Sequence, residues 1–189
     1  MQSIQTVSEN TIYVGASDRR LAKFENLFPI PRGVSYNAYV ILDEKTALLD
    51  TADASVGAQF LENVAAALDG RKLDYLIVDH MEPDHAAMIE AVLVRWPDLR
   101  LVVNAKTLPM LKMYFPTDSA AIDDALVVKE GDTLDLGKHK LTFVMAPMVH
   151  WPEVMMTFDT TTGTLFSADA FGTFGALEGA LFADEVDFA

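Results

Sequence analysis

The chain has 189 residues, no cysteine, and 14 basic against 28 acidic residues, a net charge of −14. This composition excludes disulfides, cysteine-bound iron–sulfur clusters and thiolate zinc sites, and it disfavours a nucleic-acid partner, whose phosphates would be repelled. No apolar run approaches the roughly 18 residues needed to span a bilayer, and the start, MQSIQTVSEN, has neither the basic nor the apolar region of an export signal, so a cytoplasmic protein without a membrane partner is expected.

The first fifty residues read as strands. Thr11–Gly15 is a short β-rich run, Ser35–Leu42 a longer one, and residues 46–50 return as a strand after an Asp43-Glu44-Lys45 turn. Residues 55–68 switch to helical spacing, with Phe60, Leu61, Val64 and Leu68 on one face, and stop at Gly70. Leu73–Val78 is an apolar run of the buried-strand type. A second helix is expected from near His85, turning Met88, Ile89, Val92 and Leu93 inward and stopping at Trp96-Pro97. A strand over 101–104 and a short helix over 106–114 follow. From Gly131 the pattern is β again: 131–136, 140–146, then 154–158 and 164–167 as a hairpin. Strands in hairpins together with strands alternating with helices predict an α/β sandwich of two sheets. The stretch from Phe171 to Ala189 has no clear periodicity, and the sandwich is expected to be incomplete at its C-terminus.

The residues that carry chemistry cluster after strands. His80-Met81-Glu82-Pro83-Asp84-His85 directly follows the Leu73–Val78 run. It offers four potential ligands in six residues, stiffened by Pro83. Without a cation, such a loop concentrates negative charge and imidazole at one spot. His150 and Asp169 would each be unremarkable alone, as a core histidine and a turn aspartate. Both follow predicted strands as His80 does, and a sandwich can bring the three strand ends together. His139, flanked by Lys138 and Lys140, reads as a surface turn and is left outside the site. Trp151 and Phe171 are candidates either for shielding the pocket or for core packing. Dinucleotide, phosphate-loop, nucleophile-elbow and H-E-x-x-H motifs are absent.

The H-x-E-x-D-H loop, the downstream His150 and Asp169 nineteen positions later resemble the iron site of the flavodiiron proteins, the family of A-type flavoproteins, rubredoxin:oxygen oxidoreductases and nitric oxide reductases. The segments Ala146–Glu153 and Phe166–Gly172 are similar too, and Ala47–Thr51 resembles a strand of the wider metallo-β-lactamase superfamily. The resemblance runs along essentially the whole chain. It implies a metallo-β-lactamase-like αββα sandwich over residues 1–189 and a centre of two irons. His80, Glu82, His150 and a bridging Asp169 would hold one iron. Asp84 and Asp169 would hold the other, with His85 either bound or turned away. No catalytic residue is implied beyond these ligands. Zinc hydrolases of the superfamily typically carry His where this chain has Glu82, and the harder carboxylate favours iron.

The implied activity is reduction of O2 to water or of NO to nitrous oxide, with electrons from FMN in a flavodoxin-like domain. The family places that domain after the sandwich, and adds a further His for the second iron beyond Asp169. Neither lies in residues 1–189, so either a fragment or a shortened relative with a weakened second metal position is implied; the fragment is expected, with its FMN site outside this chain or across a dimer. Rubredoxin or a flavin reductase would supply electrons to a head-to-tail homodimer. Two other readings stay open at this point: a dinuclear metallo-hydrolase, and a di-iron oxygen sensor without reductase activity.

Overall fold

The computed structural model describes residues 3–116 and 119–185. Six short strands open the chain: β1 (Gln5–Ser8), β2 (Thr11–Tyr13), β3 (Ala16–Asp18), β4 (Lys23–Phe24), β5 (Phe28–Pro29) and β6 (Val34–Tyr36). β7 (Tyr39–Leu42) and β8 (Thr46–Leu49) then pair as a hairpin, with Val40 opposite Leu48. Next come α1 (Gly57–Leu68), β9 (Tyr75–Ile77), α2 (Pro83–Ala86), α3 (Ile89–Arg95), β10 (Arg100–Asn104), α4 (Thr107–Tyr114), α5 (Ser119–Asp123) and β11 (Leu126–Val128). The last strands are β12 (Thr133–Asp135), β13 (Lys140–Met145), β14 (Met155–Asp159) and β15 (Thr164–Phe166).

Two sheets dominate. One runs β1-β2-β7-β8-β9-β10-β11, the other β12-β13-β14-β15. In the first, β8 to β11 are parallel, because a helical crossover separates each from the next. Alternation along these strands divides their side chains between two cores. Val40, Leu48, Leu76, Leu101 and Val103 face one, with Phe60, Val64 and Leu68 of α1 and Ile89 and Val92 of α3. Ile41, Leu49, Ile77 and Val102 face the other, against Leu141, Phe143, Met155 and Phe166 of the second sheet. A strand buried on both faces needs apolar residues throughout, which is why β8 reads Thr-Ala-Leu-Leu without a charge.

Helix α1 shows the local logic. Asp53 accepts the Ser55 N–H at 2.7 Å and caps the 3-10 turn that leads into it. The helix ends where Asp69 and Gly70 adopt positive φ (47° and 80°). Every helix that contributes to a core packs on the outer face of the first sheet. The described residues therefore supply helix, sheet and sheet of the expected four-layer sandwich.

Three local expectations are corrected. Ser35–Leu42 is two strands: β6 pairs with β3 in a small separate sheet, whereas β7 joins the large one. The change of partner occurs at Asn37-Ala38, where no glycine or proline marks it. The helix expected from His85 is two pieces, α2 and α3. His139 is buried, at 1 % exposure, because its Nδ1 lies 2.8 Å from Asp159 Oδ2 and its N–H donates to Asp43. Of the unperiodic C-terminal stretch, only Ala183–Glu185 forms a turn of 3-10 helix, and residues 186–189 lie outside the described residues. Among the described residues no helix is long and apolar enough to cross a membrane.

Candidate metal centre

Strand ends deliver the site. Asp50 follows β8, Asp79 and His80 follow β9, His150 follows β13 and Asp169 follows β15. Binding groups in open α/β sheets collect at the carboxyl ends of parallel strands, and here the second sheet closes over that edge. The Met155 N–H donates to the Asp79 carbonyl at 3.0 Å, and the Thr157 hydroxyl donates to the Asp79 carboxylate at 2.8 Å, joining the sheets beside the site. Within the His80–His85 loop, Glu82 is extended and Pro83 starts α2, which turns Asp84 and His85 back toward the strands. Several loop residues around the site hold positive φ without being glycine: Asp50 (54°), Met148 (69°), Ala168 (48°) and Phe171 (68°). Such backbone costs on the order of 1–3 kcal/mol per residue and concentrates where a site dictates geometry.

All six sequence-predicted ligands converge. His80, Glu82, His150 and Asp169 offer atoms within 4.8 Å of one another, and Asp84, His85 and Asp169 form a second such group. In the first, Glu82 Oε2 lies 2.8 Å from His150 Nε2 and 3.1 Å from His80 Nε2. Asp169 belongs to both. Its Oδ2 is 3.2 Å from His150 Nε2, and its Oδ1 is 2.8 Å from His85 Nε2. His85 Nε2 also lies 3.7 Å from Asp84 Oδ2. His85 therefore faces the site, the point that sequence left open.

The electrostatics are those of a crowded anionic pocket. Burial disfavours a charged His80, yet its hydrogen bonds to Glu153 and Glu82 push it up to about 9. His85 is raised well above its ordinary value against the same opposition, through Asp169 and Asp50. Asp169, despite burial, is held at about 2 by His85. Asp84 is pushed up to about 6 by burial and by the neighbouring Asp169 and Glu82 carboxylates. Burial and the Glu82 carboxylate also raise Glu25, on the β4–β5 turn. Among the described residues, the ion pairs of Glu82, Asp84 and Asp169 are all with histidines, and no lysine or arginine balances them. Asp84 Oδ1 is buried without any hydrogen-bond partner. Nitrogen and oxygen donors in two groups sharing one carboxylate, with a bare buried oxygen among them, fit a pair of hard or borderline cations.

A cleft of about 870 Å3 opens against this centre, lined by Phe24, Phe28, Tyr36, Tyr39, Phe166 and Phe174 among others. Trp151 stands edge-on to His80, ring centres 5.3 Å apart, and covers that imidazole. Phe171 is 91 % exposed at the rim and packs in no core. Sequence reasoning missed two residues behind the imidazoles. Asp50 lies 2.9 Å from His85 Nδ1 and Glu153 lies 2.8 Å from His80 Nδ1. Their positions after β8 and before β14 were the available signal.

A family model described as ODP family beta lactamase matches residues 34–188. The chain is 38 % identical over 183 residues to the anaerobic nitric oxide reductase flavorubredoxin of Klebsiella pneumoniae, covering 96 % of this chain and 37 % of that protein. Rubredoxin oxygen:oxidoreductase from Desulfovibrio gigas superposes with a TM-score of 0.91 at 31 % identity, over 98 % of this chain and 45 % of that one. The flavodiiron protein from Giardia intestinalis gives 0.90 at 28 % identity, over 98 % and 44 %. The chain spans less than half the length of each of these three proteins.

Proposed function

The chain belongs to the ODP family of beta lactamases and has the metallo-β-lactamase-like fold of the flavodiiron proteins, and from that premise we propose that it is the di-iron domain of an oxidoreductase that reduces O2 to water, NO to nitrous oxide, or both. The observation that carries this reading is the division of Asp169, one oxygen in each of two donor groups. His80, Glu82, His150 and Asp169 Oδ2 would hold the first iron, and Asp84, His85 and Asp169 Oδ1 the second. A pair of ferrous ions, when bound, would supply two electrons, enough for two NO, and the flavin would supply the further two that O2 requires.

The chain's own residues set the conditions. Glu82 and Asp169 add negative, hard oxygen donors, which favour iron in its higher oxidation state. Asp169 fixes the spacing of the two positions. Asp50 orients the imidazole of His85, and Trp151 excludes water from one side of His80. The aromatic wall of the cleft suits a small apolar gas.

In this reading the protein acts in the cytoplasm as a head-to-tail homodimer. FMN in a flavodoxin-like domain outside residues 1–189 passes electrons from rubredoxin or a flavin reductase to the irons of the partner subunit. Neither nucleic acid nor membrane takes part, in keeping with the charge of −14. The test is turnover. The iron-loaded protein carrying its flavin domain, given a reduced donor, should consume O2 or NO. Steady ester or lactam hydrolysis by a zinc-loaded form, with no gas consumption by the iron-loaded one, would overturn the proposal.

A further inference from the structure

His80 is held from behind as well as from the front. Its Nδ1 lies 2.8 Å from Glu153 Oε1, and the same oxygen accepts the Met81 backbone N–H at 3.0 Å. The side chains of His80 and Glu153 are both wholly buried. Glu153 is anchored in turn. Its carbonyl accepts a hydrogen bond from Asn104 Nδ2 at 2.6 Å, while Asn104 Oδ1 accepts the N–H groups of Lys106 and Thr107 at the start of α4. The other carboxylate oxygen of Glu153, Oε2, is buried with no hydrogen-bond partner.

This geometry fixes a proton. An N–H only donates, so Glu153 Oε1 is an acceptor toward Met81 and, as a carboxylate oxygen, toward His80 Nδ1 as well. A ring proton is thereby held on Nδ1, so Nε2, which faces Glu82 and Asp169 at 3.1 and 3.6 Å, is the nitrogen that gives up its proton when a metal binds. A buried carboxylate with one bare oxygen is costly unless positive charge lies close by. The available route to such charge is through the imidazole. His150 differs: its side chain is 56 % exposed, and its hydrogen bonds among the described residues run to Glu82 and Asp169 only.

We propose that Glu153 is a positioning residue for the first metal, locking His80 with Nε2 toward the ion and strengthening that nitrogen as a donor through its negative charge. The inference rests on the metal reading of the site given above. A carboxylate behind a ligating histidine commonly contributes ten- to a hundredfold in metal affinity.

The test is a titration of the metal-free protein with cobalt(II), followed by visible absorption, in the wild type and in Glu153→Gln. Glutamine keeps the volume and an accepting oxygen, so a purely packing role would survive the change. The wild type, as the complete protein that carries the further His, should fill two positions. The variant should bind about ten- to a hundredfold more weakly at one position and unchanged at the other. Two unchanged positions in the variant overturn the role of Glu153 alone. A wild type that binds no cobalt overturns the metal reading and this inference with it. Should the variant not fold, the zinc-loaded wild type decides by nitrogen NMR of His80. A proton on Nδ1 with Nε2 bound is expected, and a proton on Nε2 overturns the proposal.

Discussion

Asp169 Oδ1 lies 2.8 Å from His85 Nε2, while the other oxygen of the same carboxylate faces the His80–Glu82–His150 group. One side chain is thus common to two donor sets, whereas Asp84 belongs to only one. Asp169→Ala should therefore lose metal from both positions and Asp84→Ala chiefly from one, as counted by elemental analysis of the purified proteins. Equal and small losses in the two variants would reduce Asp169 to a turn residue.

In the proposed centre Glu82 is the donor expected to favour iron over zinc. It is 5 % exposed and within hydrogen-bond distance of both His80 and His150. Replacing its hard carboxylate with a borderline imidazole, Glu82→His, should raise the zinc-to-iron ratio of protein grown with both metals. A ratio equal to that of the wild type would show that Glu82 does not select the metal.

Asp18 provides a pH dependence away from the centre. Hydrogen bonds from Arg20 hold its carboxyl at about 2, against an ordinary 3.8. A folded-state value below the unfolded one means that the stabilisation is complete above the ordinary value and is lost as pH falls through the lower one. The stability deficit of Asp18→Asn relative to the wild type should therefore shrink from pH about 4 down to about 2, read by denaturant unfolding at each pH. A deficit constant over that window would contradict the assignment.

The first core centres on α1. Phe60 is fully buried there against the large sheet. Phe60→Ala removes that ring and leaves a cavity, a change that costs about 3–5 kcal/mol. Val94, 74 % exposed on α3, should tolerate alanine within about 0.5 kcal/mol. Urea unfolding of the two variants separates them, and similar losses would place the packing elsewhere.

Much of this was legible in the sequence where the pattern was strong. The apolar run before His80 became the doubly buried β9, and the spacing of Phe60, Val64 and Leu68 became the inner face of α1. The six candidate ligands were readable because each follows a strand or lies in one compact loop. Partner choice was not readable. Nothing local says that β6 leaves β7 for β3, since register and pairing are decided by distant strands. His139 was misread for a similar reason: its flanking lysines are exposed, but its partner Asp159 lies twenty residues away. Glu153 was hidden because it reaches His80 only when the two sheets are packed, and Asp50 because it reaches His85 only once β8 and β9 pair.

The central claim is that two irons share Asp169, and diffraction from crystals of the iron-loaded complete protein, with its flavin domain, at the iron absorption edge tests it directly. Two anomalous peaks are predicted, one among His80, Glu82, His150 and Asp169, the other among Asp84, His85 and Asp169. A single peak, none, or peaks at the same positions only at the zinc edge would contradict the account.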